Sequence, residues 1–254
     1  MGRCKRFNLL SVILPAFNEE KTIVSTLETL IYFLYPIFKD DLEIIIVDDG
    51  SLDETVKRVR QVQNNNKNNV TIKLLENNRN RGKGFTVKQG VQAAAGDIII
   101  FTDADLSYDI QSILYLASKI SVETPVVIGS RMLPTSQINA KVSWLRSLAG
   151  KIFNYFVQSL LLLNIKDTQC GLKGFTKKVA KEVFPLLKIN GFAFDVELLF
   201  LVKKYHHKIL QVPVNLINNR KDSRLNIGLD PFKMFIDIIN IRFNDALGKY
   251  NNHL

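Results

Sequence analysis

Asp103 and Asp105, one alanine apart, leave the apolar run Ile98-Ile99-Ile100-Phe101. Carboxylates at i and i+2 leaving a strand can share a hard divalent cation, and that cation can bridge two phosphates. A strand of parallel type also delivers its C-terminal end to the edge where open α/β sheets take ligands. Two further polar clusters end apolar runs, Pro15-Ala16-Phe17-Asn18-Glu19 and Val47-Asp48-Asp49-Gly50-Ser51. Brought to one edge, the three form a cleft able to hold a nucleoside by base edge, ribose and stacking. Plainer readings stand beside this: Asp49-Gly50-Ser51 as a turn and Asp53, ahead of Glu54-Thr55, as a helix cap. Gly82-Lys83-Gly84 before a helical stretch lets backbone N–H groups approach a phosphate while Lys83 adds charge. Its plainer reading is a flexible basic loop.

The elements that must position these residues follow from periodicity. Leu9 to Leu14, Glu43 to Val47, Val70 to Leu75, Ile98 to Phe101 and Val126 to Ile128 read as buried strands. Lys21 to Tyr35, Asp53 to Gln63 and Gly84 to Ala95 space their apolar residues at three and four, as core-facing helices do. The alternation predicts an α/β fold, a mostly parallel, doubly wound sheet flanked by helices. No linker or repeat divides residues 1–254, so one domain is expected. Within it, 141–164 and 230–247 are amphipathic. Trp144, Leu148, Ile152, Phe156 and Leu160 form one row near Arg146 and Lys151, and Phe232, Phe235, Ile236, Ile239 and Phe243 form another beside Lys233 and Arg242. Basic residues flanking such a face suit a helix lying in a membrane interface, and core packing explains the same stripe.

The composition is that of a folded globular chain: 254 residues, 46% hydrophobic and 23% charged, which excludes collagen-like, disordered and disulfide-scaffold classes. With 34 Lys and Arg against 24 Asp and Glu, the formal charge of +10 points to an anionic partner. The basic residues are scattered and no recognition motif accompanies them, so nucleic acid is disfavoured. Cys4 and Cys170 have no metal-like spacing, Phe7 to Phe17 reads as a first core strand and not as a signal peptide, and no run is apolar enough to span a bilayer. A cytoplasmic, peripherally membrane-associated protein is expected.

In order, Val12 to Glu20, Ile46 to Ser51, Asn80-Arg81-Gly82-Lys83-Gly84 and Asp103-Ala104-Asp105 resemble the family 2 glycosyltransferases, which have the Rossmann-like GT-A fold. Gly129-Ser130-Arg131, Asp167-Thr168-Gln169-Cys170-Gly171-Leu172-Lys173-Gly174-Phe175 and Phe192 to Leu199 resemble the branch that makes polyprenyl-phosphate sugars, most of all its members that load glucose onto dolichyl phosphate. The resemblance implies inverting transfer of a hexose from a nucleotide sugar, UDP-glucose, to the phosphate of a long isoprenoid lipid. It implies nucleoside contacts from Pro15, Phe17, Glu19, Asp48 and Asp49, and Mg2+ or Mn2+ on Asp103 and Asp105, the latter most directly. Where the mannosyl branch often carries a metal-side Gln, this chain has Ser107, which favours the glucosyl branch. Close eukaryotic members of the branch carry an N-terminal membrane-spanning helix, which is not expected in this sequence, so attachment is expected through amphipathic helices, basic charge or a partner.

The residues agree with that chemistry. A phosphate acceptor is already an anionic nucleophile, and His206, His207 and His253 follow no active-site pattern. What the acceptor needs is cations, and Arg131, Arg146 and Arg224 are the candidates for its phosphate, with Lys173 in reserve. Asp195 is a further catalytic candidate, on the acceptor side or at the donor sugar. With Glu197 it also opens an apolar helix, where the helix dipole is reason enough for both. Cys170 reads as a packed residue. The alternatives are a GDP-mannose donor, a soluble or polysaccharide hydroxyl acceptor, and a nucleotide-sugar-binding protein without turnover. Intact Asp103, Asp105 and arginines argue against the last.

Overall fold

The computed structural model describes residues 9–66, 68, 70–138, 144–161, 164–217 and 230–251. Its centre is a seven-stranded sheet in the order β3-β2-β1-β4-β7-β5-β8. These strands are β1 (Leu10–Ala16), β2 (Leu42–Asp48), β3 (Thr71–Glu76), β4 (Ile98–Phe101), β5 (Val126–Ser130), β7 (Lys173–Thr176) and β8 (Ile209–Pro213). A two-residue pair, β6 (Gln137–Ile138) with β9 (Asn215–Leu216), lies apart. Neighbouring strands are parallel except around β7, which runs antiparallel to both β4 and β5. The expected strands are all present. β7 and β8 carried no alternating signal: Lys173-Gly174-Phe175-Thr176 has a charge and a glycine in four residues.

Eight helices cover the sheet among the described residues: α1 (Ile23–Phe38), α2 (Thr55–Asn65), α3 (Lys83–Ala93), α4 (Ile110–Lys119), α5 (Trp144–Leu161), α6 (Lys177–Val183), α7 (Phe194–Lys204) and α8 (Asp230–Ala246). Side chains alternate across each strand. Val12 and Leu14 therefore meet Leu27 and Leu30 of α1, while Ile13 meets Val87 and Val91 of α3 on the other face. Each such side chain contributes about 1.5–3 kcal/mol by leaving water. α1 runs through Pro36, beyond the expected end at Tyr35: the proline lies in the last turn, and the carbonyl its missing N–H would have bonded, that of Tyr32, belongs to an exposed residue open to water.

α7 is buried from Phe194 to Val202, so it sits inside the helical layer and not on its surface. That burial includes Asp195 and Glu197, which therefore require partners beyond the helix dipole. α5 is split: Val157 and Leu161 are core, whereas Tyr155 and Phe156 are exposed. On α8, Ile238 and Ile241 are core, and Phe232, Ile236, Ile239 and Phe243 form an outward row. No helix among the described residues is long and apolar enough to cross a membrane.

Candidate active site

β1 has β2 on one side and β4 on the other, so the strand order reverses there and the C-terminal ends of the three strands open a crevice. The loops beyond them are laced together. Asn18, held at φ 52°, donates its N–H to Ser51 Oγ at 2.8 Å, and its side-chain oxygen accepts the Leu52 N–H at 2.8 Å. Glu19 donates its N–H to Thr55 Oγ1 at 2.7 Å, and its carboxylate accepts the Thr22 hydroxyl at 2.8 Å. Pro15 and Phe17, both half-buried, share this rim. Asp53 accepts the Thr55 N–H at 3.0 Å, but it stands one residue ahead of the N-cap of α2, which is Glu54 and makes no side-chain cap bond.

Asp48 and Asp49 shape the walls. Asp48 accepts the N–H groups of Gly50 and Ser51 and the Ser51 hydroxyl. Asp49 reaches across to the next loop, accepting from Asn77 Nδ2 at 3.1 Å, Arg81 N at 2.9 Å and Gly82 N at 2.8 Å. Gly82 stands at φ 100°, where a Cβ would come within 2.4 Å of the Asn190 carbonyl. That carbonyl accepts the N–H groups of Gly84 and Phe85. The loop N–H groups expected to approach a phosphate, those of Gly82 and Gly84, are therefore given to Asp49 and Asn190, and what this loop offers an anion is the Lys83 ammonium.

Lys83 Nζ donates to Asp103 Oδ1 at 2.6 Å. The other carboxylate oxygen of Asp103 lies against Gly171, where a Cβ would meet it at 2.2 Å. Gly171 is held in place by its N–H bond to the buried Tyr108 hydroxyl at 3.0 Å. Burial works to raise the Asp103 carboxyl, but Lys83, with Lys173 and Arg131 behind it, outweighs this and holds it below the usual carboxylate range. Asp105 accepts the N–H and hydroxyl of Ser107 at 3.1 and 2.7 Å, so the serine orients Asp105.

Arg131 follows β5 and is half-buried. Its Nε and one terminal nitrogen fork onto Asp167 at 2.7 and 2.8 Å, and its N–H reaches the same carboxylate at 2.9 Å. One edge of the guanidinium is thus spent on Asp167, and the remaining N–H groups are what it can offer a phosphate. Arg146 lies in the first turn of α5, its side chain outside what the structure describes, and Arg224 lies outside the described residues. Lys173, held in reserve as a phosphate ligand, is wholly buried. Its Nζ bonds Asp195 Oδ1 and the Cys170 carbonyl, both at 2.5 Å. Burial raises the Asp195 carboxyl above its ordinary range, against the pull of Lys173 and Lys83. Cys170 is packed, and burial pushes its thiol up.

Glu197 lies behind the site. It accepts the N–H groups of Lys188 and Ile189 and, at 2.5 Å, the Tyr250 hydroxyl. Residues 188–190, so held, seat the start of α3 and with it Lys83. Asp167, Tyr108, Asn190 and Tyr250 are positioning residues that sequence reasoning did not single out. A lysine inside a buried motif is the one signal that calls for a hidden acid. His206 and His207 occupy the turn between α7 and β8, where His207 Nε2 meets Glu182 at 2.9 Å.

No group of three or more His, Cys, Asp or Glu poised to hold a metal occurs among the described residues. Asp103 and Asp105 nonetheless fit a hard cation with phosphate oxygens completing its shell, since both offer carboxylate oxygen and the Lys83 ammonium already occupies a cation's place on Asp103.

Sheet order, acidic strand ends and a cation beside them define a Rossmann-like α/β domain of the GT-A type. The chain belongs to glycosyl transferase family 2, whose pattern matches residues 11–184. It is 40% identical to a dolichyl-phosphate β-glucosyltransferase of Dictyostelium discoideum over 94% of this chain and 75% of that one. With the protein of the same name from Saccharomyces cerevisiae the identity is 31%, over 96% and 77%. Glucosyl-3-phosphoglycerate synthase from Mycobacterium tuberculosis, solved with Mn2+, UDP and phosphoglyceric acid, superposes with a TM-score of 0.66 at 18% identity, over 96% of this chain and 79% of that one. That likeness is one of fold.

Proposed function

We propose that this protein transfers glucose, with inversion, from UDP-glucose to the phosphate of a dolichyl or other polyprenyl lipid at the cytoplasmic face of a membrane. The name shared by the relatives supports glucose as the sugar and dolichyl phosphate as the acceptor. Pro15, Phe17, Glu19, Asp48 and Asp49 line the nucleoside end, and Lys83 faces the diphosphate. Asp103 and Asp105 would hold Mg2+ or Mn2+, which offsets charge on the leaving diphosphate. An acceptor phosphate oxygen forms the bond to the anomeric carbon as the bond to the diphosphate oxygen breaks on the opposite face. The nucleophile is already ionised, so no side chain need remove a proton. Arg131, with Arg146 and Arg224, would neutralise the approaching phosphate, and Asp195 would stand beside the donor sugar.

The observation that carries the lipid acceptor is the outward row on α8. Phe232 is 67% and Phe243 60% exposed, with Ile236 and Ile239 between them and Lys233 and Arg242 exposed alongside. An apolar row flanked by cations matches the boundary between anionic headgroups and acyl chains. Of α5, only Tyr155 and Phe156 extend this face among the described side chains. The test is incubation with UDP- and GDP-sugars against polyprenyl phosphate, polyprenol and 3-phosphoglycerate, with products identified by mass. Hexosyl-phosphoryl-polyprenol from UDP-glucose is expected. A product with polyprenol or 3-phosphoglycerate, and none with the lipid phosphate, would overturn the acceptor.

A further inference from the structure

Lys83 occupies a place where its charge is otherwise unwelcome. It is the first residue of α3, at the positive end of the helix dipole, and the first turn of α3 contains no acid. What holds its ammonium there is the 2.6 Å contact with Asp103 Oδ1. Asp103 in turn is gripped from two sides, with Lys83 on one oxygen and Gly171 packed against the other. Asp103, Asp105 and Asp195 lie in the field of Lys83, and Asp103 and Asp195 in that of Lys173. Arg131 also acts on Asp103, but Asp167 balances its charge, so three carboxylates facing two ammonium groups leave one net negative charge, too little to draw a bare dication out of water. A diphosphate arriving with the dication changes that balance, because it brings negative charge of its own and gives Lys83 a second anion to pair with.

We infer that Lys83 is a built-in counter-ion for Asp103 that disfavours a divalent cation binding alone and yields the carboxylate only when the cation and a nucleoside diphosphate enter together. This rests on the metal-dependent reading above and adds a coupling located in one side chain. The flexible stem of lysine suits a charge that moves between a carboxylate and a phosphate, whereas a planar guanidinium would tend to stay forked on the acid. By linkage, UDP must strengthen Mn2+ binding by the factor by which Mn2+ strengthens UDP binding, and part of that factor belongs to Lys83.

The experiment measures Mn2+ binding by the electron paramagnetic resonance signal of the free ion, and UDP binding by calorimetry, each with and without the other. In the wild type, bare Mn2+ should bind at least about tenfold more weakly than Mn2+ in saturating UDP. Lys83→Gln should bind bare Mn2+ about tenfold more tightly, bind UDP more weakly, and lose about tenfold of the mutual enhancement. Lys83→Met, which also lacks the charge, must reproduce this, with thermal unfolding checking the fold of both. Wild-type protein that binds bare Mn2+ as tightly as in the presence of UDP overturns the inference with no variant needed. So does an unchanged enhancement in both variants. Wild type that binds no UDP under either condition removes the functional reading itself, and the inference with it.

Discussion

Lys173→Met breaks the most deeply buried ion pair described here. The side chains of Lys173 and Asp195 are 0% and 5% exposed, and the ammonium also satisfies the Cys170 carbonyl. Removing one partner of such a pair typically costs about 3–5 kcal/mol, because the other charge stays buried. An independent bound agrees: Asp195 can escape by taking up a proton, and neutralising a carboxyl of ordinary pKa near 4 at pH 7 costs about 4 kcal/mol. A carboxyl already raised by burial pays less, and the orphaned Cys170 carbonyl adds about 1 kcal/mol or more. A loss of about 3–5 kcal/mol at pH 7 is therefore expected in urea unfolding, shrinking at pH 5, where proton uptake by Asp195 is easier. Lys173→Met with Asp195→Leu removes both charges and should regain most of the loss. Transfer should nevertheless stay slow in the double variant, because it also lacks the Asp195 carboxylate proposed to stand beside the donor sugar. A single-variant loss under about 1 kcal/mol, or one equal at both pH values, would refute the electrostatic account. A double variant with full activity would remove the pair from the site.

Gly171→Ala would drive a methyl against Asp103, and transfer should fall by tenfold or more while stability in urea drops by about 1–3 kcal/mol, the usual cost of overpacking. Asp105→Asn should lower turnover by orders of magnitude with the fold retained, as circular dichroism would verify, and full activity of the variant in excess chelator contradicts a metal there. Burial raises the Glu197 carboxyl, so the native state binds its proton more tightly than the unfolded chain does. Stability contributed by that proton is gained as pH falls through the native pKa, and the advantage of wild type over Glu197→Gln in thermal unfolding should widen on acidification from pH 7. Phe232→Ser with Phe243→Ser should leave unfolding nearly unchanged, since both rings are exposed, yet abolish sedimentation with anionic vesicles.

Strand-forming runs, helical spacing and acidic strand ends were legible in the sequence because each is a local pattern, set by a period or by neighbours a few residues apart. Thus β1, β2, β4 and the cleft residues Glu19, Asp48, Asp49, Asp103 and Asp105 followed from order alone. The family motifs marked Arg131 and Asp195 as members of a site without saying what each would touch. Tertiary structure decided the pairing. β7 inserts antiparallel between β4 and β5, and only that crossing carries Lys173 to Asp195, 22 residues away in sequence. Likewise Arg131 finds Asp167 at a separation of 36, and Glu197 finds Tyr250 at 53. A buried charge has no periodicity to betray its partner; it is matched by whatever acid or base the fold places within hydrogen-bond reach, because leaving it alone would cost more than the fold can spare. The amphipathic stripes show the same limit. Periodicity announced both, and packing divided each, sending Val157, Leu161, Ile238 and Ile241 inward and leaving Phe232 and Phe243 facing out.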